Sequence, residues 1–372
     1  MPTPPHRVAV IFGGPSPEHD VSVLTGLQAA RALEKGFGAP TGIYWSKNGD
    51  FYKVPISLEA PAFAGLPSDA RPVSLELGPN GGFREGRGRF GGKSFPLAIE
   101  AVLVCCHGGP GEDGHLQGAL DLAGLAYSGP SAEGAALGMD KYATGAAVAA
   151  VGVPSLPRTL LASDRSIEFD GPYIVKPRYG GSSIGIDVVA DEATARLRLG
   201  ANVHLRRGAV VEPYRPDLFD LQIAVRSYPE VALSAIERPE RRAGAEILDY
   251  GAKYVGGAGM DAAARELPAV IPGELADRVR AFATVAAHVL SIRGVARIDF
   301  LSDGEGQLYF NEINTIPGSL SRMLFVDPVV PFVELLSDLL LEATERPTAR
   351  FSSAGSDGTV LRNASSISSK LG

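Results

Sequence analysis

The chain has 372 residues, 45% of them apolar, which suffices for two to three ordinary domains with buried cores. Lysine and arginine number 35 against 42 aspartates and glutamates, so a broad basic face for nucleic acid or an anionic membrane is excluded, while local phosphate sites are not. Cys105 and Cys106 are adjacent within an apolar run. Such neighbours make poor disulfide partners and no spaced pair exists to clamp a metal, so they read as buried structural thiols in a reducing compartment.

In chain order, residues 8–12 (VAVIF) form an apolar run ending at Gly13-Gly14, and 21–33 carry the leucine and alanine of a helix. Strand, glycine turn and helix open an α/β unit. Strands are expected at 41–45 and 98–106, with a hairpin tip or mobile loop at 78–93, so the first 135 residues predict a parallel sheet of about four strands. Residues 132–151 predict one alanine-rich helix, broken by Gly152 and Pro154. Short strands at 173–176 and 184–189 flank a glycine-serine turn, and 210–211 continue the pattern. Runs at 221–226, 232–236 and 245–248 suggest an antiparallel sheet. A helix over 274–291 has Leu275, Val279, Phe282, Ala286, Val289 and Leu290 on one stripe. Strands at 296–301 and 308–313 and a helix at 331–341 close the pattern. Residues 343–372 turn serine-, threonine- and glycine-rich and predict a disordered tail. Residues 1–7 lack an apolar signal core and no apolar stretch reaches membrane length, so a soluble cytoplasmic protein is expected.

Alternation along a strand puts Arg297 and Asp299 on one face, and Glu312 and Asn314 on one face of the next strand. If those strands pair, Asp299, Glu312 and Asn314 converge as hard oxygen donors of the kind that hold Mg²⁺ and nucleotide phosphates, with a guanidinium beside them. A cross-strand salt bridge explains the same residues equally well. Lys176 ends a strand before a turn containing Gly180, Gly181, Ser182 and Ser183, whose backbone N–H groups can close over phosphate oxygens. Lys141 lies early in a helical stretch. Taken singly, each lysine is more often a solvated surface charge. Neither GxxxxGK[ST] nor a GxGxxG after the first strand is present, which disfavours a P-loop enzyme and a simple dehydrogenase.

The order of several motifs resembles the D-alanine–D-alanine ligase family of the ATP-grasp superfamily. They are GGPSPEHDVS at 13–22, HGGPGEDGHLQGAL at 107–120, YSGPSAEGAALGMDK at 127–141, IVKPRYGGSSIGI at 174–186, DYGAKY at 249–254, ARIDF at 296–300 and NEINTIPG at 311–318. The resemblance covers about residues 7–342. It implies an α/β fold, α+β in its ATP-binding part: a parallel-sheet α/β domain (1–138), two ATP-grasp subdomains (139–218 and 219–342) and a tail (343–372). It also implies ATP-driven joining of two D-alanines through an acyl-phosphate for peptidoglycan precursors, with ATP, two Mg²⁺ (or Mn²⁺) and a possible homodimer.

By the same resemblance, Glu18 receives the ammonium of the first D-alanine, with Ser182 and Tyr254 as its hydrogen-bonding partners; read alone, Glu18 is a first-turn acid favoured by the helix dipole. Arg297 steadies the transferring phosphoryl group and Gly318 supplies an oxyanion-hole N–H. Asp299, Glu312 and Asn314 hold the metals, Lys141 and Lys176 bind phosphates, and Lys253 is the ATP-binding lysine of the lid loop. Glu212 lies beside the adenine and Asp220 stands for the ribose-binding glutamate. His107 matches a histidine near the substrates. Past Gly318 the family's Ser-Leu pair for the second substrate's carboxylate is Met323-Leu324 here, and methionine cannot donate that hydrogen bond. Ser319, Ser321 and Arg322 stand nearby as replacements, arginine being able to hold a carboxylate bidentately. A different acceptor is therefore the competing expectation, and a sensor that binds without turnover a more distant one.

Overall fold

The protein was analysed as a computed structural model that describes residues 4–86, 94–162, 166–240, 265–348, 351–364 and 367. Among these, the strands form three sheets of eight, four and five strands. The first contains β1 (Val8–Gly13), β2 (Thr41–Trp45), β3 (Phe51–Val54), β4 (Arg71–Glu76), β5 (Gly82–Glu85), β6 (Phe95–Pro96), β7 (Ala101–Val104) and β8 (Ala126–Tyr127). Strands β2, β1, β7 and β8 run parallel, as the alternation predicts. Beyond them β3 to β6 extend the sheet antiparallel, and the glycine-rich hairpin tip is the turn between β4 and β5. The predicted tip continues to residue 93, but 87–93 lie outside the described residues.

Strand β1 ends at Gly13, whose φ of +92° and whose approach to the Trp45 carbonyl leave no room for a side chain. The chain then enters α1 (His19–Phe37). Helices α2 (Gly109–Glu112) and α3 (His115–Leu122) connect β7 to β8. The single helix expected over 132–151 is two, α4 (Ala132–Met139) and α5 (Lys141–Ala150). Asp140 divides them because its extended backbone and carboxylate, which accepts the N–H groups of Tyr142 and Ala143, make it an N-cap. Lys141 thereby becomes the first residue of a helix.

The four-stranded sheet joins β9 (Thr159–Leu160), β10 (Tyr173–Pro177), β11 (Asp187–Val189) and β12 (Ala209–Pro213) in the order β11-β10-β12-β9, with α6 (Glu192–Ala201) packed on it. The five-stranded sheet joins β13 (Phe219–Arg226), β14 (Ala232–Pro239), β15 (Arg265–Glu266), β16 (Val295–Ser302) and β17 (Leu308–Asn314) in the order β15-β14-β13-β16-β17. All its pairings are antiparallel. The strand expected at 245–248 lies outside the described residues.

Helix α7 (Gly273–Val289) covers this sheet through Leu275, Val279, Ala283, Ala286 and Ala287; Phe282 and Val289, expected on the stripe, are only half-buried. Small alanines let the helix approach the sheet closely, turning the face away from the bulkier residues. The closing helix α8 (Phe332–Glu345) outlasts its predicted end and overruns the start expected for the tail. It packs on β7, β8 and α1, burying Leu335, Leu336, Leu339 and Leu340 in the first core, while its Asp338 pairs with Arg226 of β13. At about 1.5–3 kcal/mol per buried leucine, this return fastens the end of the chain to its beginning. Both cysteines are fully buried, and burial pushes their thiols up, as structural thiols require. Among the described residues no helix is long and apolar enough to cross a membrane.

Candidate active site

The acidic row rests on strand register. Asp299 on β16 faces Glu312 on β17 and Arg297 faces Asn314, so the pairing that the sequence left conditional is made. On the other side of Asp299 stands Gln222 of β13, which in turn faces Glu237 of β14. Gln222 is buried and donates its amide N–H to Asp299 Oδ2 at 3.2 Å. Asn314 Nδ2 lies 3.4 Å from the same oxygen. The Arg297 guanidinium forks onto Asp299 at 2.7 and 2.8 Å. This ion pair lies within β16 and not across strands, so it is not the cross-strand bridge of the alternative, and the register sets Asp299 beside Glu312. Two carboxylates and an amide oxygen suit a hard divalent cation and leave half of an octahedral shell to phosphate oxygens and water. The residues fit the metal that the motif implies.

The two lysines are not solvated surface charges. Both are buried. Lys141 lies 3.3 Å from Glu312 Oε2 and also donates to the carbonyl of Gly180. Lys176 donates to Glu212 Oε2 at 2.7 Å and to Asn311 Oδ1 at 3.0 Å. The glycine-serine turn is therefore tied to the acidic row through Lys141. Glu212 is fully buried; burial pushes its carboxyl up, but Arg158 and Lys176 outweigh this and hold it below the ordinary range. Its carboxylate thus serves as a counter-ion to two cations. Asp220 lies two residues before Gln222 on β13, which by alternation places it on the face of the acidic row.

At the other end of the turn, Ser182 Oγ donates to Glu18 Oε1, bringing together residues 164 positions apart. A Cβ at Gly108 would sit 2.2 Å from Glu18 Oε2, and one at Gly181 would sit 3.0 Å from either oxygen. The carboxylate is thus lodged between two glycine backbones. Lys253 and Tyr254 lie outside the described residues. Gly318 opens a 3₁₀ turn (Gly318–Leu324) in which Ser319, Leu320 and Ser321 all have left-handed φ, 47 to 53°. Ser182 and Ser183 share that conformation. Non-glycine residues there cost about 1–3 kcal/mol each and gather at functional sites. Here they mark the two loops bearing the predicted substrate residues. Ser319 turns its hydroxyl to Gln28 at 2.7 Å, and the Arg322 guanidinium lies over the Phe332 ring. Met323 is half-buried against the first core.

His107 is a clamp. Its backbone N–H donates to Ser22 Oγ at 2.8 Å, Nε2 meets Thr25 Oγ1 at 2.8 Å, and Nδ1 meets the Ile316 carbonyl at 2.6 Å. Burial holds its imidazole down at about 4; the Ile316 carbonyl pulls upward and the Arg297 charge presses further down. It is therefore neutral near pH 7. The ordinary value is 6.5, so the unfolded chain takes up a proton that the folded one refuses as pH falls from there toward 4. The stability that His107 contributes is complete above the upper value and lost across that window, about 3 kcal/mol. Urea unfolding of the wild type and of His107→Gln should show a stability difference that shrinks by about this amount between pH 7 and 4. A difference constant over the window would refute the clamp.

Glu112, in the motif that supplies His107, went unnoticed in the sequence. It is buried and accepts from the N–H groups of Gly108 and Ile316 at 2.9 Å each and from Thr315 Oγ1 at 3.3 Å. Burial first, and the Glu18 charge second, raise its carboxyl to about 7. Its place in the GEDG segment was the available signal. Gln222 had a weaker one, its spacing of two from Asp220. Arg158, after Pro157, had none.

The comparisons with known proteins give the family. The family model described as "D-ala D-ala ligase N-terminus" matches residues 7–130, and that described as "D-ala D-ala ligase C-terminus" matches residues 160–335. A D-alanine--D-alanine ligase of Chlorobium phaeovibrioides is 33% identical over 360 residues, spanning 91% of this chain and 97% of that protein. The chain belongs to the D-alanine–D-alanine ligase family. Another family member, D-alanine--D-alanine ligase A of Bradyrhizobium diazoefficiens, is 31% identical over 92% of this chain and 96% of its own length. Among solved structures of the family, the D-alanine–D-alanine ligase of Helicobacter pylori superposes with a TM-score of 0.71 at 25% identity, covering 92% of this chain and 99% of that one. The VanG D-Ala:D-Ser ligase of Enterococcus faecalis gives 0.74 at 23% identity, over 91% and 99%. At that identity the likeness speaks for the fold alone, the ATP-grasp fold.

Proposed function

We propose that this protein is an ATP-dependent ligase that forms D-alanyl-D-alanine through an acyl-phosphate, supplying peptidoglycan precursors in the cytoplasm. The observation that carries this reading is a continuous set of contacts: Glu18 to Ser182, along the turn to Gly180, then Lys141, Glu312 and the Asp299–Arg297 pair. An ammonium-binding carboxylate and a phosphate-binding cluster thus share one short loop. The 1–138, 139–218 and 219–342 division is kept as part of the proposal, with α8 returning to the first unit. A homodimer accords with the family resemblance.

A carboxylate becomes acylating only when one of its oxygens is made a leaving group, and phosphoryl transfer from ATP does this. Glu18 holds the first substrate by its ammonium so that its own carboxylate faces the cluster. Lys141 and Lys176 offset the phosphate charge. Asp299, Glu312 and Asn314 would hold Mg²⁺, which supplies further charge neutralisation on the phosphates. When the second amine attacks, Arg297 and the Gly318 N–H face the oxyanion that develops. His107, neutral and walled in, holds α1 against the loop that bears Gly318 and needs no protonation of its own.

The acceptor is the narrower question. Met323 stands where the resemblance expects a serine, and the Ser319 hydroxyl is engaged by Gln28, which supports a second reading with another acceptor. Incubation with ATP, Mg²⁺ and D-alanine, followed by mass spectrometry, should yield ADP, phosphate and D-alanyl-D-alanine. A panel adding D-serine and D-lactate separates the readings. If D-alanine is outcompeted as acceptor, the second reading takes over; if no ADP forms with any pair, ligase function is rejected.

A further inference from the structure

We propose that Arg158 is a positioning residue of the nucleotide site, a buried guanidinium that sets both phosphate-binding lysines and the strand bearing Glu312 in register. The inference rests on the ATP-ligase reading above. Arg158 follows the connector from α5 to β9, which runs along β17: the Phe310 N–H donates to the Pro154 carbonyl at 2.7 Å and Ser155 bridges Phe310. From there the side chain, only 5% exposed, turns inward between the two smaller sheets. It passes beneath α5 at Gly145, where a Cβ would lie 2.7 Å from its NH1 atom, so that glycine keeps the passage open.

The guanidinium reaches three elements. NH1 donates to the Lys141 carbonyl at 2.7 Å. NH2 donates to the carbonyl of Asn311, the residue before Glu312. Nε forms an ion pair with Glu212 Oε1 at 2.5 Å. The other oxygen of Glu212 takes Lys176 at 2.7 Å.

Two consequences follow. The first turn of α5, and with it Lys141, is tied to β17 by one planar group that reaches both carbonyls at once, which an ammonium on a flexible stem does not do. The second concerns charge. Arginine stays protonated, and it shares the single carboxylate with Lys176, so this buried trio keeps one net positive charge. A polyphosphate entering beside Lys176 meets a cation that its counter-ion has only partly neutralised. Burial strengthens that attraction, because the low local dielectric screens it poorly.

Arg158→Met and Arg158→Lys test the assignment through steady-state kinetics and calorimetry with a non-hydrolysable ATP analogue. Displacing groups by about an ångström commonly costs on the order of 100-fold. Arg158→Met is therefore expected to raise KM for ATP about 30-fold and to weaken the analogue equally, with KM for D-alanine within about twofold of wild type. Arg158→Lys keeps the charge beside Glu212 and should melt close to wild type, yet still raise KM for ATP about tenfold. It decides the matter if the methionine variant fails to fold. A KM for ATP within about threefold of wild type in the folded variants, or KM values for ATP and D-alanine rising together, would overturn the proposal. Failure of the unsubstituted protein to bind the analogue would instead reject the nucleotide reading itself.

Discussion

Arg297→Met is expected to lower kcat by about 1,000-fold while leaving KM for ATP within about threefold. The argument begins with geometry. Arg297 and Asp299 sit two residues apart on β16, and the guanidinium meets both carboxylate oxygens at 2.7 and 2.8 Å. It is thus held in one orientation beside the Asp299–Glu312 pair. In the proposed reaction negative charge grows there twice, during phosphoryl transfer and again when the amine adds. A donor already in place stabilises such charge without reorganising, and removing one typically costs about 100- to 1,000-fold. Methionine also strips Asp299 of its cation, which lowers melting temperature, so the kinetics belong well below the variant's melting point. Arg297→Lys should fall between the two, since a point charge replaces the fork. Should kcat in the methionine variant stay within tenfold of wild type, Arg297 has no place in the transition state.

Glu18→Gln is the second large effect, expected to cut kcat/KM for the first D-alanine by about 100-fold and to leave nucleotide binding unchanged. The replacement has nearly the same shape, still accepts from Ser182 and still fits between Gly108 and Gly181. What it loses is the charge that pairs with an ammonium. Hydrogen bonds to charged groups are worth about 1.5–3 kcal/mol, which at about 1.4 kcal/mol per decade corresponds to roughly 10- to 150-fold. Initial rates against D-alanine at saturating ATP, with analogue binding measured in parallel, read the two quantities separately. Equal losses in substrate use and nucleotide affinity would point to a collapsed loop rather than to ammonium recognition.

Which candidate residues share a strand face was legible in the chain. Alternation alone put Arg297 with Asp299 and Glu312 with Asn314, because a strand repeats every two residues whatever it packs against. Helix α7 was legible for the same kind of reason, although its stripe rotated toward Ala283 and Ala287. The division of α4 from α5 at Asp140 was not foreseen. There a local cap overruled a run of helix-forming alanines, well ahead of Gly152 and Pro154, the breaks that composition offers.

The sequence by itself determined the parallel strands of the first sheet, the glycine turns, the two acidic strands and the family, since all of these depend on local periodicity or ordered motifs. Only the tertiary structure decided the rest. It turned Lys141 onto the Gly180 carbonyl, shared Glu212 between Arg158 and Lys176, and sent α8 back to the first core. The physical reason is common to all three. Such contacts are selected by the desolvation of charges and apolar faces in the folded chain, and a buried ion becomes tolerable only where a distant segment brings its partner.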